Sequence, residues 1–197
     1  MKLKLFGTEI YISFFFAALI AFLLATDRTG LIIPTLFASF IHEGGHLFAM
    51  WLCGEQPKKI KLIPASMQIV RNFSVSARNE IAIALCGPAA NIAVFLCLFL
   101  NYLLSQNQTV LVFALLNLIL AVFNLLPVSG LDGGTVLKNL WAKKTDIYSA
   151  EGKVRILTFA LSVFFLSAGV FLALKEETNI SLFIMAVYLF ICAMMRK

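Results

Sequence analysis

Charge is what this sequence has least of. Only 13% of its 197 residues are Asp, Glu, Lys or Arg, against roughly 25% in a typical soluble domain. So sparse a set cannot clothe a globular surface in water, which argues against a soluble enzyme. Histidine is scarcer, with two in the chain. The four cysteines, Cys53, Cys86, Cys97 and Cys192, form no C-x-x-C pair. All lie in or beside apolar stretches and read as small packing residues, not as a disulfide framework or a thiolate metal site. There is no repeat or low-complexity tract, and no stretch reads as a separate soluble domain.

What is present is apolar: 61% of the residues are hydrophobic. They gather into six runs at about 10–25, 31–52, 81–104, 110–126, 156–174 and 180–195. A bilayer crossing needs about 20 such residues. The expected fold class is therefore an all-α polytopic membrane protein, a single domain over 1–197 with about six transmembrane helices. Lys2 and Lys4 before the first run resemble the start of a signal peptide. No clear small-residue cleavage site follows, and Asp27-Arg28-Thr29-Gly30 reads as a tight loop. The first run is expected to be a retained span. Gly87-Pro88 is expected to interrupt the third span early, and residues 143–155 read as a polar loop. Between the second and third runs, Ile60, Leu62, Met67, Ile69 and Val70 are interleaved with polar residues and Pro64. That period is nearer two than 3.6, so a small membrane-associated β-hairpin or an interfacial loop is expected there.

The net charge of +6 is distributed by topology. With six spans, two, five, five and two basic residues fall on one side, leaving only Arg28 and Lys175 of the 16 Lys and Arg for the other. By the positive-inside rule both termini are cytoplasmic in a multi-pass protein of the cell membrane. The charge then serves orientation, and no nucleic-acid partner is expected.

The second run contains both histidines in Phe40-Ile41-His42-Glu43-Gly44-Gly45-His46. On a helix His42 and His46, four residues apart, share one face and can reach one metal ion. Glu43 projects beside them. This is the H-E-x-x-H arrangement of two zinc ligands and a general base; the plain alternative is a buried, hydrogen-bonded histidine pair. Ionisable groups at membrane depth are costly and usually functional. An open zinc site takes a third protein ligand. Asp132 is the acidic residue set in an otherwise uncharged stretch, and the fourth span, running the same way as the second, ends just before it. Asp132 also fits the role of a turn or N-cap residue, and the two roles are compatible. Zinc lowers the pKa of a water at its open position to about 7. Glu43 would take that proton and pass it to a leaving amine. The implied reaction is hydrolysis of a peptide bond within the membrane, with one zinc per chain.

These residues resemble the site-2 protease family of intramembrane zinc metalloproteases, and the short bacterial branch that includes the sporulation-factor processing proteases. The resemblance rests on Phe40 to His46, on Gly87-Pro88-Ala89-Ala90-Asn91, and on Asn124-Leu125-Leu126-Pro127 with Leu131-Asp132-Gly133-Gly134. It implies zinc on His42, His46 and Asp132, with Glu43 as catalytic base. It also implies that Asn124 lies near the metal and helps hold the substrate or the oxyanion; a helix-end cap is the plain alternative. Asn91 fits packing or a polar contact between spans equally well. The stretch after Gly54 would present the substrate as an added strand. Many relatives have a second proline where Ser129 stands. The implied partners are the lipid bilayer, a membrane-protein substrate with a transmembrane segment, and a regulatory membrane partner. Two other readings remain beside it. A prenyl-protein-processing type of protease would need a later glutamate ligand in a helical motif, which is lacking. A non-catalytic membrane binding protein or metal carrier would have no need of Glu43.

Overall fold

The computed structural model describes residues 2–5, 8–55, 57, 59–63, 66–70, 75–174 and 180–194. Pro64, the loop at 175–177 and the C-terminal Arg196-Lys197 of the sequence reading lie outside them. The chain forms two compact units, Met1–Val122 and Phe123–Lys197.

The first unit begins with strands β1 (Lys2–Leu5) and β2 (Thr8–Ile12), then helices α1 (Phe14–Thr26) and α2 (Ile32–Leu52). Strands β3 (Lys59–Ile63) and β4 (Ser66–Val70) follow, then helices α3 (Ala77–Ser105) and α4 (Gln108–Asn124), the last two residues of which open the second unit. The four strands form one sheet in the order β1-β2-β3-β4. The outer pairs are antiparallel, and β2 runs parallel to β3 with α1 and α2 as the crossover. Parallel strands require such a long connection. Glu9 and Lys59, register partners across β2 and β3, also form an ion pair at 3.5 Å.

The N-terminal strands correct the sequence reading, which began a span at about residue 10. Residues 2–5 alternate Lys with Leu, and Thr8-Glu9-Ile10-Tyr11-Ile12 is rich in β-branched and aromatic residues. This is strand chemistry, but besides its neighbour β1 the strand β2 pairs with a segment about fifty residues downstream, beyond any local signal. The helix starts only at Phe14. Asp27 then staples the loop into α2, accepting hydrogen bonds from the N–H groups of Thr29, Gly30 and Ile32 and from the Thr29 hydroxyl. These donors, Ile32 foremost, hold its carboxyl below the ordinary 3.8.

The helices are patterned inside out. On α2 the buried residues are Pro34, Ala38, His42, His46, Ala49 and Met50, nearly one per turn on one face. The other face exposes Phe37, Phe40, Phe48 and Trp51. Helix α3 buries Ile83, Ala84, Gly87, Pro88 and Asn91. On α1 nothing is buried, and Phe14 is 79% exposed. Small and polar residues meet inside while large apolar ones face outward, as helices packed in lipid require. Exposed apolar surface of this extent does not suit water. Helices α3 and, in the second unit, α6 (Ile147–Ala173) are long and apolar enough to cross a membrane.

Helix α3 runs unbroken through Pro88, so the expected interruption is absent. A proline removes one helical hydrogen bond, and flanking elements can make good that loss. In the second unit, α5 (Asp132–Ala142) is followed by α6 (Ile147–Ala173) and α7 (Ile180–Met194). Helix α6 starts nine residues before the expected span, because the Asp146 side chain caps it by accepting from the Ser149 N–H at 2.9 Å. The expected polar loop at 143–155 is thus largely helix.

Gly45 sets the spacing of α2 and α3. A Cβ there would stand 2.5 Å from the Cys86 carbonyl oxygen and 3.0 Å from the Ala90 Cβ. The obstacle is backbone, so the helices would have to part. Gly45→Ala is expected to destabilise the protein by about 1–3 kcal/mol, the usual penalty for overpacking. Its thermal midpoint in detergent should fall by several degrees, while Gly44→Ala, which meets nothing within 4 Å, should leave it nearly unchanged.

Candidate metal centre

The buried stripe of α2 places His42 and His46 one turn apart, facing α3. Their rings stand edge-on at 88°, with the two Nε2 atoms 3.1 Å apart. Each ring is anchored through its other nitrogen. His46 Nδ1 lies 2.8 Å from the Ile83 carbonyl oxygen, and His42 Nδ1 lies 2.9 Å from Asn91 Oδ1. A carbonyl oxygen can only accept, so His46 carries a proton on Nδ1, and the neutral ring then has its lone pair on Nε2. With Asn91 presenting its oxygen, the same holds for His42.

Two lone pairs therefore converge on one point inside the helix pair. Two nitrogens on one tetrahedral zinc, at about 2.0–2.1 Å each, stand about 3.3 Å apart. The observed 3.1 Å fits that chelate. The outward N–H bonds supply the usual orientation of metal-binding histidines. The α3 backbone adds to the fit at Gly87. A Cβ there would fall onto the His46 ring and 3.0 Å from Cε1 of His42. Only glycine leaves that space open.

Glu43 is half-buried, one residue along α2 from His42. Helix geometry turns it about 100° from that histidine. The sequence reading left Asn91 between packing and a polar contact. The structure makes it fully buried and bonded to His42. Asn117, at 2% exposure on α4, is a polar residue the sequence reading missed. An amide in the middle of the apolar run 110–126 was the available signal.

Asp132 and Asn124 belong to the second unit. Asn124 is the last residue of α4 and half-buried. Asp132 is the first residue of α5, where the positive end of the helix dipole favours a carboxylate. The loop between them folds tightly against α5. A Cβ on Gly133 would collide with the Leu125 carbonyl oxygen, and one on Gly134 with that of Val128. Gly130 has φ +96°, a conformation that suits glycine. Val128 and Leu131 are buried against Leu189. Ser129 explains its departure from the family pattern. Its N–H donates to Thr158 Oγ1 at 2.8 Å, and that hydroxyl donates to the Val154 carbonyl at 2.8 Å. A proline has no N–H to give.

Comparison with known proteins places this arrangement. The model of M50B-like peptidases matches residues 15–131, more than half of the chain, and that of peptidase family M50 matches residues 104–168. The chain belongs to the M50 peptidases, the site-2 protease family. A zinc metalloprotease of Methanocaldococcus jannaschii is 29% identical over 115 residues, 55% of this chain and 34% of its own length. A protein of Synechocystis, provisionally named a zinc metalloprotease, is 34% identical over 112 residues, 53% of this chain and 30% of its own. The chain thus spans about a third of the length of these curated relatives. The solved site-2 protease of Methanocaldococcus jannaschii has the same fold, with a TM-score of 0.70 at 23% identity over 98% of this chain and 93% of that one. Its fold is that of a polytopic membrane protein.

Two substitutions test the local geometry. Gly87→Ala is expected to displace the His46 ring and weaken zinc binding at least tenfold, measured by competition with a chelator, with helix content unchanged. Thr158→Val keeps the shape but strands the half-buried Ser129 N–H. It should lower stability by about 1–3 kcal/mol, read as a fall in the denaturation midpoint.

Proposed function

We propose that the protein is a zinc-dependent intramembrane endopeptidase that cuts a transmembrane segment of another membrane protein. One observation carries this reading: two buried imidazoles, 3.1 Å apart at Nε2, each anchored through Nδ1. A pair so held, with a carboxylate one residue away, is poised both to bind a metal and to move a proton. Family membership points to peptidase chemistry.

His42, His46 and Asp132 would hold the zinc, two neutral imidazoles and one carboxylate, a donor set suited to that ion. Bound there, zinc supplies Lewis acidity to the scissile carbonyl and acidity to a water. Glu43 takes the water's proton as general base and returns it to the leaving amine. The Asn124 side-chain amide donates to the oxyanion that develops on the substrate. The two units form one catalytic domain over 1–197, and the β3–β4 hairpin presents the substrate as an extended strand.

Six membrane spans, formed by α1, α2, α3, α4, α6 and α7, account for the outward apolar faces, and α3 and α6 have the full length of a crossing. The sheet supports the inferred orientation. Strands β2 and β3 are neighbours yet flank α1 and α2, so those helices must cross and return. Residues 8–12 and 59–63 then share the basic, cytoplasmic side with both termini.

Purified protein is expected to contain about one zinc per chain by elemental mass spectrometry, and Asp132→Ala should lose most of it. Glu43→Gln should keep the zinc and cut a membrane-protein substrate about 10²–10⁴-fold more slowly. Zinc retained in Asp132→Ala would remove that residue from the ligand set. Full zinc occupancy without cleavage of any membrane substrate would favour a membrane metal-binding protein instead.

A further inference from the structure

We propose that Asn117 and Asn91 form a two-amide relay that fixes the tautomer of His42, keeping its proton on Nδ1 and its lone pair on Nε2. Both act as positioning residues. The inference concerns the ring itself and rests on the zinc reading only for its consequence.

The direction of the relay follows from groups that cannot change role. Asn117 Nδ2 donates to the Phe113 carbonyl oxygen at 2.9 Å. That turns Asn117 Oδ1 toward Asn91, whose Nδ2 donates to it at 2.9 Å. The second hydrogen of Asn91 Nδ2 goes to the Ala38 carbonyl oxygen at 3.0 Å. Both Asn91 donors are thus committed to oxygens, and its Oδ1 is left facing His42 Nδ1 at 2.9 Å. A flipped Asn91 would set its oxygen against the oxygens of Ala38 and Asn117 at once. Both asparagines are buried, at 0% and 2% exposure, so no water offers a substitute partner. An amide left to itself presents either end to an imidazole. Here two main-chain carbonyls, one on α2 and one on α4, determine which end it presents.

The two histidines therefore differ. His46 is fixed by a main-chain carbonyl, which no side-chain substitution removes. At His42 the partner of Nδ1 is a side chain, that of Asn91. Because the chain has two histidines, His46 is an internal control for the integrity of the helix pair.

The test is nitrogen NMR of the full-length, metal-free protein labelled with ¹⁵N-histidine in detergent. Wild type should show both rings protonated on Nδ1. In Asn91→Leu the His42 ring should distribute over both tautomers while His46 keeps its signals. Asn117→Leu should produce the same change to a smaller degree, since Asn91 retains the Ala38 carbonyl. Zinc affinity should fall about 10–100-fold in Asn91→Leu, as for loss of an outer-shell partner, and less in Asn117→Leu. The relay is overturned if His42 keeps Nδ1–H in both variants, whatever the zinc affinity. It is equally overturned if His42 and His46 change together, which is loosened packing, or if wild-type His42 is protonated on Nε2. The spectra of metal-free protein decide the relay alone; wild type that binds no zinc would sink the zinc reading instead.

Discussion

Everything at the candidate centre depends on holding two imidazoles edge-on with their Nε2 atoms turned toward each other. The two Nε2 atoms stand 3.1 Å apart. The arrangement persists because each ring is pulled from behind, one by the Ile83 carbonyl and one by Asn91. In lipid there is little hydrophobic force to press helices together. Packing and hydrogen bonds must bring α2 and α3 close enough for those bonds to form. Gly45 against the Cys86 carbonyl, and Gly87 against the rings, are where that closeness is made. The polar cluster and the small-residue contact are made by the same two helices.

The second unit meets a similar demand by other means. The segment from Leu125 to Leu131 is not helical. Irregular backbone at membrane depth must find partners within the protein. The Val128 N–H reaches the Leu126 carbonyl, the Leu131 N–H reaches that of Val128, and the Ser129 N–H reaches Thr158. With apolar anchoring of Val128 and Leu131 on Leu189, the start of α5, and Asp132 with it, is held in a fixed place within its unit.

The helices and the histidine pair were legible in the sequence because their signals are local. A long apolar run and a four-residue spacing need no knowledge of what lies across the fold. Each expected span contains or overlaps a helix, and the expected hairpin stretch contains β3 and β4. What was hidden depends on partners distant in sequence. Strands β1 and β2 are short, and β2 is completed by residues about fifty positions on. Pro88 looked like a break, but a helix can lose one hydrogen bond and continue. Asn117 and Thr158 look like ordinary polar residues in apolar runs. Their meaning lies in Asn91, 26 residues away, and in Ser129, 29 residues away.

The Ser129–Thr158 bond also has a kinetic side. A proline restrains a loop permanently, because its ring limits the backbone in every state of the chain. A hydrogen bond is a latch. It costs little to open and closes again when the Thr158 side chain returns to its rotamer, a motion of picoseconds to nanoseconds where a side chain is exposed and slower where, as here, it is enclosed. The segment leading to Asp132 is therefore held by a restraint with a lifetime, and that lifetime is set by the packing around one hydroxyl group.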